Sequence, residues 1–101
     1  MNRFGEKIKE LREQRSLLQR HIASRLDIDT PMLSKIERGE RKAKRYQIPI
    51  LAKALSVDEN FLLSLWLADQ VYDLVKDESM ALKAIQVAEK EIKYEITLNV
   101  K

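Results

Sequence analysis

The sequence predicts an all-α chain, a five-helix bundle carrying a C-terminal helical extension. Three observations predict it. Apolar residues recur every three or four positions through most of the chain, the period of a helix that buries one face. Only two glycines and two prolines interrupt 101 residues, so few positions break a helix. Polar or glycine-marked breaks at Asp27–Asp29, Gly39 and Ser56–Glu59 divide the periodic stretch into short helical lengths.

Taken in order, Phe4–Arg15 sets Phe4, Ile8, Leu11 and Arg15 at helical spacing with charges between them, an amphipathic first helix. The second helix is Gln19–Leu26, with Ile22, Ala23 and Leu26 facing inward. Asp27-Ile28-Asp29 is the turn after it. Ile28 plugs the core, and the Asp29 carboxylate is placed to cap the next helix. Thr30–Arg38 is the third helix, and Gly39 ends it where a left-handed backbone is needed. Glu40–Arg45 is a basic loop. A fourth helix ends at Leu55 with Ile48, Leu51, Ala52 and Leu55 inward, and Pro49 fits only within its first turn. Ser56–Glu59 is a turn with Val57 buried and Asp58 as the next N-cap.

The fifth helix, Glu59–Lys76, is apolar almost all round. Such a helix must be covered on every side, and the preceding four cover only one. The sixth, Ser79–Tyr94, carries a narrow stripe of Ala81, Ala84, Ile85, Ala88 and Ile92 that reaches Ile96. Its alanines permit close helix approach. The tail Ile96–Lys101 alternates in a strand-like way but is too short to assign. The expected division is therefore a module over residues 1–63 and an extension over 64–101, with Leu65, Trp66, Val71, Tyr72, Ile85, Ala88 and Ile92 as candidate dimer-interface residues. The sixth helix either packs across such a dimer or folds back on its own chain.

Composition narrows the function classes. The chain is 45% hydrophobic and 35% charged, and a core this small gains from an oligomeric partner. With no cysteine it has no disulfide framework and no thiolate metal site, which fits a reducing cytoplasm. No apolar run approaches the roughly 18 residues of a membrane span. No cofactor is expected, and the enzyme class lacks a nucleophile–base pair, a metal-ligand cluster and a Gly-rich phosphate loop. The lone histidine, His21, has no partner for catalysis or metal binding.

Net charge is +3, but residues 1–46 carry +6 and residues 47–101 carry −3. A basic half beside an acidic half suits a nucleic-acid module with a separate interaction element. The third helix offers the matching chemistry. Leu33 and Ile36 point inward with Met32 at the margin, while Thr30, Pro31, Ser34, Lys35 and Arg38 lie on the opposite face. Hydroxyls reach either kind of base edge, lysine donates to guanine, and proline makes only apolar contact, for instance with a thymine methyl. Groove-reading helices present their N-terminal residues to bases, so Thr30, Pro31, Ser34 and Lys35 form the expected readout set. The simpler alternative is a solvated helix face. Two flanks favour readout: Gln19 and Arg20 at the start of the second helix, and Arg38, Arg41, Lys42, Lys44 and Arg45 beyond the third. Both sets are expected to hold DNA phosphates.

The run Ile8-Lys9-x-Leu11-Arg12, Leu17-x-Gln19-x-x-Ile22-Ala23, Leu33-Ser34-Lys35-Ile36-Glu37-Arg38-Gly39 and Leu51-Ala52-Lys53-Ala54-Leu55-x-Val57 resembles the Xre family of helix-turn-helix regulators, relatives of the phage Cro and cI repressors. The resemblance covers about residues 4–63. It implies a Cro/cI-like five-helix bundle that binds operator DNA as a dimer with the helix at Thr30–Arg38 in the major groove. It also implies a structural ion pair between Arg12 and Glu37. The family usually has Ser or Thr where Leu18 stands, Gly at Asp27 and Pro at Ala43, and Pro49 is unexpected.

The function expected is therefore a sequence-specific double-stranded-DNA-binding repressor, a cytoplasmic homodimer of bacterial or phage origin acting on a near-palindromic site. The alternative is an antitoxin or restriction–modification controller whose C-terminal part binds a partner protein. A third reading is a protein-interaction module that uses the fold without DNA.

Overall fold

A computed structural model describes residues 1–99, and these form six helices and no strand: α1 Arg3–Gln14, α2 Gln19–Leu26, α3 Thr30–Glu37, α4 Gln47–Leu55, α5 Glu59–Val75 and α6 Ala81–Asn99. The fold is all-α. Side-chain caps start α1 and α3. Asn2 caps α1, its Oδ1 accepting from the Gly5 N–H at 3.1 Å. Arg15, at helical spacing from Leu11, is the residue after the helix end and lies exposed.

Leu18, at the start of α2, has no acceptor on its side chain. The reciprocal half of a capping box survives, with the Leu18 N–H donating to His21 Nδ1 at 3.0 Å. Asp27 ends α2 in the left-handed region at φ 57°, which short polar side chains tolerate best after glycine. Asp29 Oδ1 accepts from the Met32 N–H at 2.8 Å and starts α3. Pro31 falls in its first turn, where a missing N–H costs nothing. The same holds for Pro49, the third residue of α4.

Gly5 and Gly39 are where the backbone needs glycine. A Cβ on Gly5 would lie 2.5 Å from the Ile36 carbonyl oxygen and 2.7 Å from that of Glu37, so glycine lets α1 meet the end of α3. Gly39 adopts φ 77° immediately after α3. Asn2 sits between them, donating from Nδ2 to the Glu37 carbonyl at 2.9 Å.

The core lies among α1–α4 and the first turns of α5. Ile8, Leu33, Leu51, Leu55 and Leu62 are completely buried, and Ile22 and Ile48 nearly so. α2 packs on α3 and α4, and α1 packs on the same pair. Ile28, Met32 and Val57 are half-buried against this core. On α5, Leu62 is fully buried and Leu63, Leu65 and Trp66 pack against the core. Phe61, Leu67 and Val71 are exposed. One side of α5 is thus covered and the other is not.

The chain divides into two compact units, Met1–Val71 and Tyr72–Lys101. The first extends past Leu63 because Leu65, Trp66 and Asp69 still contact the bundle. α6 continues through the segment that alternates in the sequence, from Ile96 to Asn99, and it buries none of its residues. The end of that segment, residues 100–101, lies outside the described residues. No helix among the described residues is long and apolar enough to cross a membrane.

Candidate nucleic-acid interface

α3 is fixed by its inward face. Leu33 is fully buried, and Ile36 and Glu37 nearly so. Burying Glu37 demands partners. Its Oε2 accepts from Arg12 Nε at 2.7 Å, and its Oε1 accepts from Arg12 Nη2 at 3.1 Å and from Gln19 Nε2 at 3.0 Å. Arg12 Nη1 also donates to the Leu17 carbonyl at 3.0 Å. The hydrogen bond from Arg12 to Glu37 raises the guanidinium above its ordinary pKa, against the opposing effect of burial. One carboxylate therefore ties α1, α2 and α3 together.

With that face pinned, Pro31 and Lys35 are exposed and Thr30 and Ser34 partly so. The four expected readout residues lie together on the outer face of α3. Arg38, at the helix end, donates to both Glu40 and the Ser34 hydroxyl. The same contact holds the Glu40 carboxyl below its ordinary range. In this conformation Arg38 has a carboxylate partner, and a phosphate would have to displace Glu40.

The expected phosphate residues divide. Arg20, Arg41, Lys44 and Arg45 are exposed. Gln19 turns its amide inward to Glu37, because the buried carboxylate has room for a third donor. Lys42 turns toward α5, where its Nζ donates to Gln70 Oε1 at 3.2 Å. The basic loop borders α3: Arg41, Lys42 and Lys44 line a depression together with Met32 and Ile36.

The seven candidate dimer residues also divide. Leu65 and Trp66 pack against the core of their own chain. Val71, Tyr72, Ile85, Ala88 and Ile92 are exposed. α6 carries a second apolar stripe that the sequence reading did not single out. Met80 just before the helix, with Val87, Tyr94 and Leu98, falls roughly opposite Ile85 and Ile92 at 100° per residue. Spacing alone, seven residues from Met80 to Val87 and again to Tyr94, was the available signal.

Asp69 was missed with no such signal. Its carboxylate accepts from the Arg3 and Phe4 N–H groups at 3.0 Å each, 66 and 65 positions away, and satisfies the first turn of α1. Among the described residues no group of three or more His, Cys, Asp and Glu side chains could hold a metal.

Two short helices joined by a tight turn and tied through the Glu37 carboxylate to each other and to α1, the second with a polar outer face, define a helix-turn-helix module. Residues 3–62 match a family model described as a helix-turn-helix domain, well over half the chain, and the protein belongs to this family of DNA-binding regulators. No curated protein and no solved structure matched the chain.

Proposed function

We propose that the protein is a transcriptional repressor of the Xre, Cro/cI-like type. It binds a near-palindromic operator as a homodimer and places α3 in the major groove. The observation that carries this reading is the setting of α3. Its inner face is locked by Leu33, Ile36 and the Arg12–Glu37 pair, while Thr30, Pro31, Ser34 and Lys35 share the outer face. Cationic side chains stand to either side, Arg20 on α2 and Arg41, Lys44 and Arg45 on the loop. In this reading the cations grip phosphates and set register, and the α3 residues read base edges.

Dimerisation rests on the exposed apolar residues after Phe61. Two-fold pairing would set two α3 helices roughly 34 Å apart, one turn of DNA. Sedimentation of the full chain and of a chain ending at Val75 tests this. Equal subunit number and equal DNA affinity would place the interface elsewhere. The two opposed stripes on α6 also suit a second role, capture of a partner protein, as in an antitoxin or a restriction–modification controller.

For readout, Ser34→Ala with Lys35→Ala should remove the preference for a selected operator over mixed-sequence duplex while leaving mixed-sequence binding measurable. Retained preference would defeat the assignment of α3.

A further inference from the structure

We infer that Trp66 on α5 is a positioning residue for the DNA-backbone contact. It fixes the loop between α3 and α4 so that Arg41, Lys44 and Arg45 are presented as a preformed phosphate clamp, with Lys42 turned to α5 as the loop's tether. The inference rests on the DNA reading above and names a part of that site which the α3 residues do not supply.

A loop rich in cations repels itself, and left free it would lose much conformational entropy on meeting DNA. This loop is not free. Its start is tied to α3, the Glu40 N–H donating to the Lys35 carbonyl at 2.9 Å. Its middle is anchored by Ala43, only 1% exposed. A carbonyl at so buried a residue needs a donor, and the Trp66 indole N–H supplies it at 2.8 Å. Its end is tied by Gln47, 4% exposed, whose Oε1 accepts from the Lys44 N–H at 2.8 Å. Among apolar ring side chains only tryptophan carries this N–H, so phenylalanine could fill the same space without holding the loop.

Lys42 completes the tether. Its ammonium lies 5.7 Å from the centroid of the Trp66 ring, within cation–π range, and it donates to Gln70 one turn along α5. Gln70 is itself oriented by donation to the Trp66 carbonyl at 3.2 Å. Neighbouring residues of the loop thus have different roles. Lys42, itself exposed, and the buried Ala43 both contact α5 side chains, while Arg41, Lys44 and Arg45 are exposed. α5 acts on DNA through the loop and touches no phosphate itself.

The test uses the full chain and a fluorescently labelled mixed-sequence DNA duplex, titrated between about 50 and 200 mM salt, where backbone contacts govern binding. Trp66→Phe should weaken binding about five- to tenfold, the low end of what one buried hydrogen bond lost with its acceptor unpaired costs, since part of that cost falls on the free protein as well. In a background of Arg41→Ala, Lys44→Ala and Arg45→Ala the same substitution should change affinity less than about twofold, because no clamp remains to position. A merely structural loss would weaken both backgrounds alike. Lys42→Met, on an exposed side chain, should leave the slope of log affinity against log salt unchanged, whereas Arg41→Ala or Lys44→Ala should each lower it by about 0.9.

Equal loss in both backgrounds, binding unaffected by Trp66→Phe, or a slope reduced as much by Lys42→Met as by its neighbours would overturn the inference. Absence of binding by the unsubstituted protein is a different result. It would remove the DNA reading and the inference with it.

Discussion

Replacing Glu37 by glutamine removes one charge and almost no volume, and the structure sets the consequence. The Glu37 side chain is 2% exposed and that of Arg12 11%, so water cannot replace the lost partner. Three donors converge on the carboxylate, two of them from a guanidinium. Breaking a buried ion pair by removing one partner costs about 3–5 kcal/mol, since the remaining charge stays desolvated. The amide keeps one acceptor oxygen but turns an N–H toward other N–H groups, so about 2–4 kcal/mol is expected for Glu37→Gln. For a domain of this size that lowers the thermal midpoint by roughly 10–25 °C. Urea unfolding followed by far-UV circular dichroism, at fixed protein concentration, measures it. An unfolding free energy within about 0.5 kcal/mol of the parent would refute the claim that this pair locks α1, α2 and α3. Arg12→Met combined with Glu37→Leu should cost less than Glu37→Gln, because no uncompensated charge remains.

Gly5→Ala should destabilise by about 1–3 kcal/mol, since its Cβ would press on two backbone carbonyls of α3 that cannot swing away; unchanged unfolding would show that α1 and α3 have slack here. Asp69→Ala should cost about 0.5–2 kcal/mol, the value of a helix cap, and should speed hydrogen exchange at the Arg3 and Phe4 amides before elsewhere. Glu40→Gln should tighten binding to mixed-sequence duplex by about two- to fivefold at neutral pH, because it frees Arg38 from its carboxylate. The pH sign follows from the lowered Glu40 pKa: the Arg38 contact is intact above the ordinary carboxyl range and is lost as pH falls through the lowered value. The advantage of Glu40→Gln should therefore shrink at acid pH, and an advantage that grows there would contradict the pairing.

The helices were legible wherever one apolar stripe coincided with a capping residue. Asp29, Gly39 and Asp58 mark boundaries in the sequence, and the backbone turns at or beside each of them. The end of α6 was not legible, because Ile96 to Leu98 alternate in polarity and period 2 competes with period 3.6 over so few residues. α3 could be read as a two-faced helix from the chain alone, and its outer face follows from Leu33 and Ile36. What the sequence could not provide were the single-residue ties across the fold. Asp69 reaching α1, Trp66 reaching Ala43 and Gln19 turning inward to Glu37 each depend on one side chain meeting one distant group. Periodicity records which face of an element is buried, and it carries no information about which polar group that face will meet.

The central claim is that α3 reads a duplex sequence, and selection from a pool of random DNA duplexes at stated salt tests it most directly. The account predicts enrichment of a near-palindromic site whose half-sites are centred about 10–10.5 base pairs apart, one helical turn. Recovered duplexes with no enriched sequence, bound no more tightly than the starting pool, would contradict it.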